Sequence, residues 1–376
     1  MNFKVSGDGS WKKRGFQSLY GITLIAYYIG KVIDITVKSS YCHSYMFWRK
    51  KENTQEYFDS YEQHKEECFK NHEGSAGKIE VDAITEMFLR SEEKYGVKYR
   101  NYIGDGDCKT FKEILDVNPY GDDFKVVKNE CVGHVQKRMG TRLRNIKKTY
   151  KLGGKGKLTD TLIRKLTKYY GPAILRNVDS VQDMKNAIMA TYHILCSTDE
   201  NPRHEYCPSG ADSWCQWQKA QAIGSEFKHP APLHEDVQKH ILPIYEDLLR
   251  LDLLERCLGG HTQNANESFN STVWRFCPKH LHSGLKIVES ATFIAAGLFN
   301  EGYSAIFQIM MALKLIIGRQ CKMYGDNVDE WRVPRQERRS ISSSKEARRA
   351  KKQQALEENM LYEEVEGLLY GLGITD

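Results

Sequence analysis

The order of its β-rich and helical segments constrains the fold of this chain more than any other feature of its sequence. In the first 150 residues, three β-rich runs are followed by a helix, a strand, a helix, a strand and a helix. A polar helix is predicted over Gln55–Asn71. The clearest predicted helix is Lys78–Tyr95, in which Ile79, Ala83, Met87 and Leu89 fall near one face before Gly96 ends it. The predicted strands are Phe3–Val5, Gln17–Tyr28, Val32–Val37, Lys98–Ile103 and Phe124–Val127. This order predicts an α/β domain with a mixed five-stranded sheet and flanking helices.

The chain after Tyr150 has a different pattern. Helical periodicity dominates Leu158–Leu254, strand signals are few, and a loop rich in Cys and His lies in the middle. We therefore expect a helical insertion that interrupts the α/β core, and a polar, charged tail at the end. The expected segments are 1–150 for the first part of the core, 151–260 for the helical insertion, 261–333 for the return of the core, and 334–376 for the tail.

The composition argues against a secreted or membrane protein. Met1–Asp8 lacks the apolar core of a secretory signal, and the apolar run Leu19–Ile29 is too short to span a bilayer. The longer run Leu285–Ile317 is interrupted by charged residues, so we expect two buried helices there and no membrane anchor. The ten cysteines are therefore expected in a reducing compartment, as thiols or metal ligands.

Two aspartates follow predicted strands, and each is flanked by glycine. Asp8 closes the first predicted strand and Asp105 closes the fourth. If these strands are neighbours, the two carboxylates lie close enough to bind Mg²⁺ or Mn²⁺, which prefer hard oxygen ligands. The adjacent glycines would also allow a phosphate backbone to approach closely. Asp-Gly pairs form ordinary turns as well, so the spacing alone leaves both interpretations open.

Five short blocks resemble insect-type Mutator-like transposases. The blocks are Asp8–Gly15 with Ser18 and Gly21, Asn71–Gly77 with Glu80, Tyr102–Asp107, Cys131–His134, and Asn264–Asn270. The first, third and fifth are similar to the family blocks that carry the first aspartate, the second aspartate and the catalytic glutamate. Each block alone is weak evidence, whereas five in the family's order, within residues 1 to about 320, are strong evidence.

The resemblance implies an RNase H-like fold with three catalytic acids. It makes Asp8 the first ligand of a pair of Mg²⁺ or Mn²⁺ ions, Asp105 the second and Glu267 the third. Asp107 is the alternative second acid. Asn270 lies one helical turn after Glu267 and would orient a phosphate or the glutamate.

The implied activity is that of a DDE-type DNA transposase, a polynucleotidyl transferase. A metal-activated water would cut double-stranded DNA at the terminal inverted repeats of an element, and the freed 3′-hydroxyl would attack target DNA. We expect such a protein in the nucleus, and the pairing of two element ends favours a homodimer. The alternative is a domesticated, transposase-derived DNA-binding protein without catalysis, against which the presence of all three acids argues. A nuclease acting on RNA–DNA hybrids is disfavoured by the helical insertion before Glu267.

The start of the chain departs from the family pattern. Only seven residues precede Asp8, whereas related transposases carry an N-terminal DNA-binding region. A truncated gene model and a decayed copy are both open explanations. Either would put recognition of the element's ends in doubt and could leave the enzyme inactive.

Two groups of Cys and His are candidate zinc sites. The first group is Cys196, His204, Cys207 and Cys215. It lies within twenty residues and offers the sulfur and imidazole ligands of a tetrahedral zinc site, although buried thiols beside a surface His are an equal alternative. The second group is Cys42, His43, His64, Cys68 and His72. Similar transposases often show Cys-x-x-Cys there, and Tyr45 replaces the second cysteine in this chain, which argues against zinc.

Basic residues near these motifs are candidates for contacts with DNA. They are Lys12, Lys13 and Arg14 beside Asp8, and Lys137, Arg138, Arg142, Lys147 and Lys148 on the helix after the fifth strand. Lysines and arginines in such patches bind phosphates, although a run of charges is more often a solvated helix face. Cys131 and His134 begin that helix and match the family signature near the active site, and we do not expect them to be catalytic.

Overall fold

The structure is a computed structural model with two compact units, residues 1–300 and residues 301–376. It describes residues 2–12, 20–27, 30–48, 54–64, 67–104, 108–154, 156–281 and 283–342.

The first unit is built on a five-stranded mixed sheet with the strand order β3-β2-β1-β4-β5. The strands are β1 (Asn2–Trp11), β2 (Tyr20–Tyr27), β3 (Val32–Ser39), β4 (Lys98–Gly104) and β5 (Val127–Glu130). β1, β2 and β3 pair antiparallel, whereas β4 runs parallel to both β1 and β5. The parallel pairs need long crossover connections, and helices supply them. The predicted mixed five-stranded sheet with flanking helices is confirmed.

Helices make up most of the rest of the first unit. They are α1 (His43–Trp48), α2 (Gln55–His64), α3 (Ala76–Tyr95), α4 (Cys108–Val117), α5 (Val132–Thr149), α6 (Asp160–Leu175), α7 (Val181–Cys196), α8 (Gln216–Ile223), α9 (Glu235–Leu248), α10 (Leu251–Glu255), α11 (Asn264–Phe276) and α12 (Leu285–Glu301). As predicted from helical spacing, α3 buries Ile79, Ala83 and Met87 and ends at Gly96, which adopts the left-handed conformation with φ of 65°. Leu89 was expected on the same face but is exposed, because it lies off the buried stripe.

β1 is longer than the sequence suggested. It runs through Asp8 to Trp11 because β2 pairs with it along this whole stretch, from Val5 opposite Tyr27 to Trp11 opposite Gly21. Asp8 therefore lies inside a strand and does not close it. A Cβ atom on Gly7 would lie 2.5 Å from Ile84 Cδ1, and one on Gly9 would lie 2.7 Å from Glu80 Oε2. These two glycines thus allow α3 to approach the sheet, on the face opposite to the Asp8 side chain.

Two other boundaries differ from the sequence-based expectation. β5 begins at Val127, where the predicted strand ended, because the residues before it fill the core beneath α3 as a loop. The helix predicted over Gln55–Asn71 ends at His64, and the short α1 was not predicted.

The region after α5 forms a second apolar core. Among the residues described between 151 and 260, every regular element is a helix. Buried residues of α5, α6, α7, α9 and α10 pack together there, and the buried Tyr170 hydroxyl donates a hydrogen bond to the Leu248 carbonyl at 2.9 Å.

The second unit contains α13 (Tyr303–Ala312) and α14 (Arg319–Ser342). The Asp329 carboxylate of α14 accepts a hydrogen bond from the Tyr303 backbone amide at 2.8 Å, which caps α13. α13 buries none of its residues, so the expectation of two buried helices over Leu285–Ile317 is wrong for the second. No helix in the described part of the chain is both long and apolar enough to cross a bilayer.

Candidate active site

Alternate residues from Lys4 in β1 to Lys12, directly after β1, contact the segment that contains α11. The five contacts are Lys4 Nζ with His261 Nε2 at 3.2 Å, Ser6 Oγ with Asn266 Oδ1 at 3.0 Å, Asp8 Oδ2 with Asn270 Nδ2 at 2.6 Å, Ser10 Oγ with Trp274 Nε1 at 2.7 Å, and Lys12 Nζ with Cys277 Sγ at 3.6 Å. Two residues of a strand advance about 6.6 Å and four residues of a helix about 6 Å, so the two elements keep in step. We call these contacts the β1–α11 ladder.

Asp8 occupies the middle of the ladder, on the central strand of the sheet. The Asn270 amide donates to its carboxylate, and a hydrogen bond to a charged acceptor is stronger than one between neutral groups. The other end of that amide, Asn270 Oδ1, is buried and lacks a hydrogen-bond partner among the described residues. A carboxylate beside a buried amide oxygen is a donor set of hard oxygens, which fits Mg²⁺ or Mn²⁺.

Gln263 lies where β1 and β4 stop pairing. The last parallel pair is Ser6 with Ile103, and beyond it the Gln263 amide donates to the Gly7 carbonyl at 2.7 Å and to the Ile103 carbonyl at 3.5 Å. Gln263 is also the residue from which α11 begins. It therefore fixes the start of α11 over the opening between the two parallel strands.

Glu267 lies in the first turn of α11, three residues before Asn270. Its side chain is 60% exposed, and its carboxylate is 3.7 Å from Lys137 Nζ on α5. An ion pair this exposed adds little to stability. Residues three apart lie on one side of a helix, so Glu267 lies one turn from Asn270, the partner of Asp8.

Asp105 and Asp107 lie outside the described residues. Asp105 follows Gly104, the last residue of β4. It comes two residues after Ile103, just as Asp8 comes two residues after Ser6, the partner of Ile103 in the sheet. The choice between Asp105 and Asp107 as the second acid stays a prediction.

Cys131 and His134 lie at the start of α5, beside the end of β4. The Cys131 backbone amide donates to the Gly104 carbonyl at 3.3 Å, and the Val132 amide donates to the His261 carbonyl at 2.9 Å. Burial raises the pKa of the Cys131 thiol, although backbone amides including that of Gln263 oppose the rise. The thiol is therefore protonated at neutral pH, and it helps to join α5 to the start of α11.

The basic residues of α5 largely contact acidic residues of the same chain. Besides Lys137, the ion pairs are Arg138 with the buried Glu130 at 2.8 Å, Arg142 with Asp247, and Lys147 with Asp160 at 2.8 Å. Lys148 is exposed. These contacts favour a structural role for much of the basic face, and DNA binding by these residues stays a prediction.

Lys12 is buried, with its ammonium directed at Cys277 Sγ on the last rung of the ladder. Lys13 and Arg14 lie outside the described residues. Contact between DNA and Lys12, Lys13 and Arg14 therefore stays a prediction.

Each group of Cys and His is brought together only in part. The ligand atoms of His204, Cys207 and Cys215 lie within 4.8 Å of one another, and Cys196 is not a member of this cluster. The ligand atoms of Cys42, His64 and Cys68 form a second cluster of the same size, with Cys42 Sγ 3.0 Å from His64 Nε2. His43 contacts the Tyr41 hydroxyl and His72 contacts Asp82, so neither joins it.

Sequence reasoning missed the polar residues that attach α11 to the sheet. These are Ser6, Ser10, Gln263, Asn266 and Trp274. A usable signal existed, because Asn266, Asn270 and Trp274 are spaced by one helical turn. Polar residues likewise alternate along β1 on both sides of Asp8.

Comparison with known proteins identifies the family of the chain. No curated protein and no solved structure matches it significantly. A family model described as Mutator-like transposase matches residues 1–215, which is more than half of the sequence and includes Asp8, Asp105 and the Cys131–His134 block. On this evidence, and in agreement with the blocks noted in the sequence, the chain belongs to the Mutator-like transposase family.

Proposed function

We propose that this chain is the catalytic core of a DDE-type DNA transposase with an RNase H-like fold. Its substrates would be the terminal inverted repeats of an element and a target DNA, both double-stranded. The observation that carries the proposal is the β1–α11 ladder, which holds Asn270 against Asp8 and keeps Glu267 one turn away on the same helix.

The sheet supports the RNase H-like part of the proposal. In such folds the first and fourth strands are parallel neighbours, and they carry two of the three acids at one edge of the sheet. Here β1 and β4 are parallel neighbours, with Asp8 on the first and Asp105 directly after the second. A helix that arrives late in the chain then adds Glu267.

In this proposal Asp8, Asp105 and Glu267 would hold two Mg²⁺ or Mn²⁺ ions. When bound, the ions would activate the attacking oxygen and stabilise the leaving oxygen of a phosphodiester. Asn270 orients the Asp8 carboxylate through its amide, which removes rotational freedom from that side chain before substrate arrives. The exposed Lys137 would balance the charge of Glu267 in the free protein and contact a DNA phosphate in the complex.

The proposal extends to partners and location. Two copies of the chain would pair two element ends, and the protein would act in the nucleus. A domesticated DNA-binding protein without catalysis is the competing proposal, and the presence of Asp8, Asp105 and Glu267 disfavours it.

The test is nicking of labelled duplexes that carry candidate terminal inverted repeats, with and without Mg²⁺ or Mn²⁺. We expect metal-dependent nicking by the parent chain and none by Asp8→Asn or Glu267→Gln. Glu255→Gln is a matched control, because Glu255 is an exposed helical acid on α10, outside α11 and the β1–α11 ladder. Binding without nicking by the parent chain would favour the non-catalytic alternative. Undiminished nicking by Asp8→Asn would refute the assignment of the acids.

A further inference from the structure

A second chemically distinct cluster lies outside the proposed active site, between α7 and α8. His204, Cys207 and Cys215 are each buried, and their ligand atoms lie within 4.8 Å of one another. The cluster is enclosed by a small apolar core that includes Ala190 and Trp217. The imidazole of His204 stacks on the Trp217 ring, with centroids 4.7 Å apart and planes 5° from parallel. The imidazole is therefore held in one orientation.

That orientation directs one nitrogen of His204 at both sulfurs. His204 Nδ1 is 3.2 Å from Cys215 Sγ and 3.8 Å from Cys207 Sγ. In a neutral ring one nitrogen carries the proton and the other carries a lone pair. The hydrogen-bond partners of His204 Nε2 determine which nitrogen of His204 carries the proton.

Those partners form a chain that ends at a carboxylate. His204 Nε2 is 2.9 Å from His229 Nε2, and His229 Nδ1 is 2.8 Å from Asp199 Oδ1. An ionised carboxylate only accepts hydrogen bonds, so His229 Nδ1 donates to Asp199. With one proton on each ring, His229 Nε2 accepts a hydrogen bond and His204 Nε2 donates it. The lone pair of His204 is therefore on Nδ1, where it faces the two sulfurs.

A histidine that uses one nitrogen as a ligand and donates a hydrogen bond from the other is the arrangement found at protein metal sites. Two thiolates and an imidazole are the ligands that zinc prefers. We propose that His204 Nδ1, Cys207 and Cys215 bind Zn²⁺, with His229 and Asp199 as positioning residues for His204. Cys196 is not a ligand in this proposal.

The site would link the loop before α8 to the segments that follow α7 and α8. Cys207 and Cys215 lie in the loop that precedes α8, while His229 follows α8 and Asp199 follows α7. The Asp199 carboxylate also accepts a hydrogen bond from the His229 backbone amide at 2.8 Å, which fixes the far end of the chain of contacts. A bound ion would thus hold this loop in one conformation beside α7.

The first test is the zinc content of the purified full chain and its variants, by mass spectrometry. Cys215→Ser and His204→Ala should each lose one zinc per chain relative to the parent. Cys196→Ala and the exposed Cys321→Ser should lose none. Cys42→Ser, in the other cluster, measures how much of the zinc is bound there, so that it can be subtracted. The ligand set is overturned if Cys215→Ser retains the full zinc content, or if Cys196→Ala loses as much as Cys215→Ser.

A second test does not depend on ligand variants that fail to fold. Asp199→Asn keeps every ligand and removes only the charge at the end of the chain of contacts. Loss of a residue in this position typically weakens metal affinity by roughly 10–100-fold. Competition with a coloured chelator should show zinc released from Asp199→Asn at lower chelator concentration than from the parent. Equal release would refute the positioning role. Cobalt in place of zinc should also give the charge-transfer absorption of thiolate ligands, weakened in Cys207→Ser.

Discussion

The contact between Asn270 and Asp8 can be tested without any DNA substrate. The perturbation is Asn270→Ala, which removes the amide that donates to Asp8 Oδ2 at 2.6 Å. Ser271→Ala is the matched control, because Ser271 is the next residue of α11 and is exposed. Asp8→Ala and the double variant complete a double-mutant cycle, which isolates the pairwise interaction.

The magnitude follows from the charge of the acceptor. A hydrogen bond to a charged group contributes about 1.5–3 kcal/mol, and an exposed substitution away from special features changes stability by less than about 0.5 kcal/mol. Asp8 is only partly buried, so we expect a coupling energy near the lower end of that range. Asn270→Ala alone should cost more than the coupling energy, because it also removes a buried side chain.

The assay is urea unfolding in the absence of divalent metal, followed by circular dichroism. In a separate assay, Asn270→Ala should reduce metal-dependent nicking by roughly 10–100-fold, as expected for a residue that orients a metal ligand. Ser271→Ala should leave both measurements unchanged. A coupling energy under about 0.5 kcal/mol would mean that the ladder does not hold Asp8.

Two further predictions concern the same side of the molecule. Burial, with a smaller contribution from Lys4, lowers the pKa of His261 from 6.5 to about 4, so the unfolded chain binds this proton more readily than the folded chain. The stability that the neutral His261 contributes is therefore present above pH 6.5 and is lost as pH falls toward 4; the loss at pH 5 is about 2 kcal/mol. Urea unfolding at pH 7 and pH 5 should show this loss in the parent and a smaller one in His261→Asn, and equal losses would exclude His261 as its source. Gly7→Ala should cost about 1–3 kcal/mol by overpacking, since its Cβ would lie 2.5 Å from Ile84 Cδ1. Gly77→Ala, which has space for a Cβ, is the control in thermal unfolding, and an unchanged midpoint in Gly7→Ala would contradict the close approach of α3.

The order of the helices and strands could be predicted from the sequence, because apolar residues recur at helical spacing in the helices and β-rich runs mark the strands. Lys78–Tyr95 repeats at helical spacing, and the five β-rich runs lie close to the five strands of the sheet. The extent of β1 could not be predicted, because the Asp-Gly pair at Asp8 is a turn signal. Only the partner strand β2 makes Asp8 part of a strand.

The roles of single residues were harder to predict than their importance. The glycines beside Asp8 suggested an approach to phosphate, yet Gly7 and Gly9 accommodate α3 on the other face. Successive side chains of a strand point to opposite faces of the sheet, so Gly7 and Gly9 face away from the Asp8 side chain. This orientation can be deduced only once β1 is known to extend through Asp8. Cys196 was grouped with His204 by spacing alone, whereas its position in the core of the helical region follows from the packing of α7.

The β1–α11 ladder affects the folding of such proteins during synthesis and the structure of shortened copies. Its rungs join residues 257 to 265 positions apart, so Asp8 leaves the ribosome long before its partners. At about 5–20 residues per second, the delay is roughly 10–50 s. A premature stop codon between Glu130 and Asn264 would spare the five strands of the sheet and remove the whole of α11. Copies shortened in this way would keep the family's N-terminal sequence blocks, yet they would produce a protein in which Asp8 faces solvent without Asn270 or Glu267.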